Sequence, residues 1–280
     1  MDNLLVLTDF TPKSDHAIQF ALSLLQNQSC TVHLLSIQKV WEYTTDDLIA
    51  AKPQAALDDS ILGDNKSKLS AAVERLEKRY KNSSFHFEPH VDYDVFTASI
   101  NQAVHTFDID LIVVGSDGPS DVLEYFLGSH ALRVIRRTQS PVLVVPYTSI
   151  NKDSGNLLIT LDLQQHVAQL NLLFIYDLFA AKVKSIQLVK LIEDTAKEGL
   201  EQSQLTRLRT LFEDCPVSFK TLEGSDWFAS SQVVVQLESY LAHIIIAHEQ
   251  SFVKRIFSGS NLSRMLQESR IPLLVLQHAD

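Results

Sequence analysis

The amino-acid sequence predicts an α/β protein of two tandem units, each a five-stranded parallel sheet flanked by helices. Three observations carry that expectation. Short apolar runs alternate with amphipathic stretches, a block of the first half recurs in the second, and the composition is that of a globular chain. At 280 residues, with 45% hydrophobic and 21% charged side chains, the chain has the length of two ordinary domains.

In the first half, strands are expected at 3–8, 31–37, 84–91, 110–114 and 141–145. These runs are rich in Val, Ile and Leu without alternation, as strands buried on both faces should be. Amphipathic stretches at 13–26, 66–80, 95–106 and 129–138 separate them. Ala17, Phe20, Ala21 and Leu24 share one face at helical spacing. The second half repeats the pattern, with strands near 156–161, 184–189, 216–221, 243–247 and 272–276. Gly128, Ser129 and Pro141 recur as Gly259, Ser260 and Pro272 at one constant offset. Leu4–Asp9 recurs as Leu157–Asp162 at a longer one, so the first copy carries extra chain, placed between Trp41 and Lys66 as a loop. The junction falls near Thr148–Gly155, giving domains 1–150 and 151–280. Strand–helix alternation with short links implies right-handed crossovers, and ligands in such sheets bind beyond the carboxyl ends of the strands.

The net charge is −10, from 24 basic and 34 acidic side chains. That balance opposes non-specific attraction to nucleic acid or to an anionic membrane. No apolar run approaches the roughly 20 residues that cross a bilayer. The start, Met-Asp-Asn-Leu-Leu, lacks the basic region of a signal peptide. Cys30 and Cys215 form neither a disulfide framework nor a cysteine metal site. A cytoplasmic location is expected.

Three of the eight glycines, Gly115, Gly118 and Gly128, fall together where the strand 110–114 ends. Glycine lets main chain approach phosphate oxygens closely. A helix beginning at Ser129 would add unpaired amides and the positive end of its dipole. The bland alternative is a set of turn glycines and a helix N-cap. The segment has neither the Gly-Lys-Ser/Thr of a Walker loop nor the dinucleotide fingerprint.

The pattern Gly115-x2-Gly118-x9-Gly128-Ser129 resembles the ATP-binding signature of the universal stress protein (UspA) family. Val-Leu-Thr-Asp9-Phe resembles the family's first strand, Asp110-Leu-Ile-Val-Val-Gly115-Ser its fourth, and Ser140-Pro-Val-Leu-Val-Val-Pro146 its last. The resemblance implies two tandem Rossmann-like (adenine nucleotide alpha hydrolase-like) domains. It implies ATP in the first, alone or with Mg²⁺ or Mn²⁺, as the ligand of a stress-response module. Asp9, with Thr8 before it, would sit beside adenine and ribose, and Ile37 would line the adenine pocket. Val114 and Gly115 would line the ribose side. Gly118, Gly128, Ser129 and the amide of His130 would hold the phosphates. His130 and Pro119 depart from the family pattern. In the second half Asp162 matches Asp9 and Gly259-Ser260 is kept. There, however, His248-Glu249-Gln250-Ser251 replaces the first glycines, so no ATP is expected in that half. The last strands of the two halves would pair as an internal pseudo-dimer, with a homodimer of whole chains left open.

His86, Glu88, His90 and Asp92 alternate on a predicted strand and point one way, a face on which zinc or manganese could sit. Pro89 interrupts it, and polar alternation at a sheet margin is commoner, so no metal site is assigned. Arg133, Arg136 and Arg137 read as a solvated helix face. Asp46-Asp47 and Asp58-Asp59 read as solvated loop charges. No hydrolase elbow or triad order is present, and no general base for water at a γ-phosphate is identifiable. No catalytic residue is assigned, and ATP hydrolysis, if any, would be slow. A pseudo-dimeric interaction scaffold that binds no nucleotide is the competing function.

Overall fold

The computed structural model describes residues 1–26, 28–38, 55–92, 95–116, 129–149, 155–161, 169–192, 206, 209–210, 212, 215–223, 240–248 and 270–278. It divides into two compact units, Met1–Gly115 and Ser116–Asp280.

Along the first unit run β1 (Asn3–Leu7), α1 (Pro12–Leu24), β2 (Cys30–Ile37), α2 (Ala55–Arg79), β3 (Phe85–Asp92), α3 (Phe96–Thr106) and β4 (Leu111–Ser116). The strands lie in the order β3-β2-β1-β4. All three pairings are parallel, with Leu5 opposite both His33 and Ile112. Leu4, Leu5 and Val6 are wholly buried, as are Leu111, Ile112 and Val113. Burial on both faces is why these strands read as unbroken apolar runs. Helix α1 starts where Thr11, in extended conformation, caps it through Ser14 N, with Pro12 next in the chain. Ala17, Phe20, Ala21 and Leu24 are buried on α1, the face its periodicity predicted.

Helix α2 corrects one expectation. It starts at Ala55, not near Lys66, so Asp58 and Asp59 lie on a helix and not in a loop. The physical reason is propagation. Leu69 and Ala72 anchor the helix in the core, and extending a formed helix costs little. Gly63 adds only its weak propensity, since a β-carbon there would touch nothing within 4 Å.

The second unit contains α4 (Ser129–Arg137), β5 (Val142–Pro146), β6 (Asn156–Leu161), α5 (Gln169–Phe179), β7 (Ser185–Ile192), β8 (Val217–Glu223), β9 (Ala242–His248) and β10 (Leu273–His278). Its strand order is β5-β10-β9-β6-β7-β8. The run β8-β7-β6-β9 repeats the topology β3-β2-β1-β4 of the first unit. Strand β10 runs antiparallel to β5, with Leu274 opposite Leu143, so the two strands expected to pair do so. Gly155 precedes β6 at φ 62°, and a β-carbon there would meet the Lys182 carbonyl at 2.7 Å. Only glycine fits that turn. Among the described residues no helix is long and apolar enough to cross a membrane.

Candidate functional site

In the first unit the chain leaves β1 for β2 and β3 on one side, then returns as β4 on the other. Strand order therefore reverses between β1 and β4, and ligands of such sheets bind beyond the carboxyl ends of the strands at that point. Thr8 and Asp9 follow β1 there, and Val114 and Gly115 stand near the end of β4.

The turn after β1 is built by its own side chains. Thr8 is buried, and its amide donates to the Leu35 carbonyl at 3.0 Å. Its hydroxyl oxygen accepts from the Phe10 amide at 3.1 Å and lies 3.3 Å from Ser14 Oγ. Thr8 thus organises the loop. Asp9 is exposed. Its Oδ1 accepts from the Thr11 amide at 3.1 Å and from the Thr11 hydroxyl at 2.6 Å. Between them Phe10 takes φ 62°, a conformation uncommon for a non-glycine residue. Partial burial works against the Asp9 charge, but the hydrogen bonds from Thr11 and Ser14 outweigh it and hold the carboxyl below its ordinary value. The turn therefore presents an ionised, oriented carboxylate that can accept hydrogen bonds from hydroxyl or amino groups.

Gly115 is explained by its neighbour. A β-carbon on it would lie 2.8 Å from the Lys13 carbonyl oxygen and 3.3 Å from the Ser14 amide nitrogen. The first turn of α1 thus packs directly on the end of β4. Val114 is buried, and Ile37 ends β2 half-buried, one strand away from the β1–β4 switch point.

The phosphate half of the motif is described separately. Ser129 and His130 open α4 in the second unit, where first-turn amides have no intrahelical partner. Gly118, Pro119 and Gly128 lie outside the described residues, as do Asp46, Asp47, Asp162, Glu249, Gln250, Ser251, Gly259 and Ser260. His248 is the last residue of β9. Arg133, Arg136 and Arg137 are exposed on α4, as expected.

Thr11 and Ser14 were not singled out by sequence reasoning, although the pair Thr11-Pro12 ahead of an apolar periodic run is a legible helix-start signal. His33 was missed as well. His86, Glu88, His90 and Asp92 do share one face of β3. Pro89 does not break the strand because β3 lies at the margin of its sheet, where a missing amide is tolerated.

A sequence model of the Universal stress protein family matches residues 1–146. The fold is similar to the crystal structure of a universal stress protein from Archaeoglobus fulgidus DSM 4304, with a TM-score of 0.69 at 14% identity over 99% of this chain and 98% of that one. It is also similar to the cytoplasmic domain of a prokaryotic cation chloride cotransporter, with a TM-score of 0.57 at 13% identity over 98% and 94% of the two chains. Identities this low speak for the fold alone. No curated protein sequence matches the chain. Because the family match covers more than half of its length, the chain belongs to the universal stress protein family.

Proposed function

We propose that the first half of this chain binds ATP or a related adenine nucleotide, and that occupancy makes it a nucleotide-dependent module of a stress response. The observation that carries this reading is the exposed, ionised Asp9 carboxylate held by Thr11 at the β1–β4 switch point. Such a group suits ribose hydroxyls or an adenine amino group. Gly115 stands at the end of the neighbouring strand β4. The phosphate end is assigned on the motif: Gly115, Gly118, Gly128 and Ser129 follow the family signature, with the His130 amide as a further donor. Val114 and Ile37 would line the nucleoside side. Mg²⁺ or Mn²⁺ would accompany the phosphates. Occupancy acts only through a difference in affinity between two shapes or partners of the protein.

The test is calorimetric titration of the full chain with ATP, with and without Mg²⁺. Saturable one-site binding that Asp9→Ala weakens supports the proposal. Absence of binding by the folded protein overturns it and leaves the interaction scaffold. Binding unaffected by both Asp9→Ala and Gly128→Val would place the ligand elsewhere.

A further inference from the structure

Strands β2 and β3 pair in parallel with His33 opposite Glu88 and Leu35 opposite His90. Registered neighbours in a parallel sheet point the same way, so His33 joins the face already carrying His86, Glu88 and His90. The side chains converge. His33 Nδ1 lies 3.0 Å from His90 Nε2 and 3.3 Å from Glu88 Oε2, and His90 Nε2 lies 3.8 Å from that same oxygen. His86 Nε2 stands 3.5 Å from the other carboxylate oxygen, Oε1.

We propose that His33, Glu88 and His90 form a binding site for one divalent metal ion of the zinc class, with the fourth position open to water. Three electron-pair donors come within 3.8 Å of one another. A single proton on His33 Nδ1 serves either His90 or Glu88. A cation between them serves all three. The spacing fits: a tetrahedral zinc ion with bonds of about 2.0–2.1 Å has ligand-to-ligand edges of about 3.3 Å. Two imidazoles and one carboxylate are also a set that zinc takes when it keeps a coordination position open.

The surroundings hold the ligands in place. Phe107, at the C-cap of α3, stacks on both imidazoles, with ring centroids 4.6 Å from His33 and 4.4 Å from His90. His33 is buried, and among the described residues its other nitrogen, Nε2, has no hydrogen-bond partner, so its polar contacts there go to this cluster. Entry is from the sheet margin, where Glu88 and His90 are partly exposed and His90 lines a cleft of about 310 Å³ with Gln102 and Thr106. Asp92, also on this face, is not among the three residues whose ligand atoms converge.

None of the three proposed ligands is among the residues assigned to the nucleotide, so the experiment uses the tag-free, chelator-treated full chain without nucleotide. Zinc chloride is titrated against a competing chromophoric chelator, and cobalt(II) is used as a spectroscopic probe. One zinc equivalent should bind, and the bound cobalt should give the intense visible bands of a four-coordinate ion. His90→Ala and Glu88→Gln should each weaken zinc by at least about tenfold, and the double variant by more than about 100-fold, with the cobalt bands lost. Both positions lie on the marginal strand, so the fold is expected to survive, which circular dichroism checks. Zinc should raise the melting temperature of the natural protein and not of the double variant. Failure of the folded natural protein to bind an equivalent, or binding undiminished in the double variant, overturns the proposal.

Discussion

The carbonyl oxygen of Lys13 lies 2.8 Å from the place where Gly115 would carry a β-carbon. The position is closed to side chains by the protein's own backbone. Backbone on α1 cannot yield as the tip of a flexible side chain can. Gly115→Ala is therefore expected to destabilise the chain by about 1–3 kcal/mol, and Gly115→Val by more. Urea unfolding measures this. Nucleotide affinity should be compared only where the variant is still folded, and a Gly115→Ala protein as stable as the natural one would contradict the packing.

Asp9→Ala removes a carboxylate and leaves Thr11 without its acceptor. If the crevice holds a nucleoside, one or two charge-assisted hydrogen bonds disappear and affinity for ATP falls about 10- to 100-fold. The folded-state value of Asp9 is lowered, so its contribution to stability is present above the ordinary carboxylate range. It is lost as pH falls through the folded value. Thr11→Val should bring the Asp9 titration back toward normal, readable by carbon-detected NMR of the carboxyl group.

His243 sits wholly buried in β9, its Nε2 2.7 Å from Thr160 Oγ1 on β6. Burial pushes the imidazole down to about 3. Between that value and the ordinary value near 6.5, the unfolded chain holds a proton that the folded chain does not. Stability conferred by this group is complete above about pH 6.5 and declines by about 1.4 kcal/mol per pH unit as the solution is acidified toward pH 3. Urea midpoints between pH 7 and 4.5 should show this slope, and His243→Gln should flatten it by close to one proton.

The two cysteines should differ in reactivity. Cys30 opens β2 buried, and burial, with the nearby Asp110 and Asp2 carboxylates, raises its thiol to about 11. Cys215 is half-buried, with its thiol raised by burial alone. At pH 8 an aromatic disulfide reagent is expected to titrate Cys215 first and Cys30 only after denaturation, since the thiolate is the reacting species. Equal rates in the native protein would show that β2 opens readily.

Much of the fold was legible because burial on both faces of a parallel strand leaves a local mark. Leu4–Val6 and Leu111–Val113 read as strands without reference to any other part of the chain. Ala17, Phe20, Ala21 and Leu24 likewise announce the inward face of α1 by spacing alone. The beginning of α2 was not legible. Asp58, Asp59, Gly63 and Asn65 are poor helix formers, and the helix passes through residues 58–65 because its later turns are anchored by Leu69 and Ala72. Asp9 and Gly115 were legible as the residues that follow or end apolar runs. The dependence of Asp9 on Thr11 and Ser14 was not, because it arises in the turn geometry.

By itself, then, the amino-acid order determined the succession of strands and helices and the buried face of α1. These follow from periodicity, which neighbouring residues set among themselves. Only the tertiary structure decided what stands beside what. It placed Lys13 against Gly115, giving the glycine a packing reason, and it set His33 opposite Glu88 and near His90. Register between parallel strands is chosen by the packing of the whole sheet and its covering helices. A histidine one strand away is therefore invisible in the local pattern of β3, however clear that pattern is.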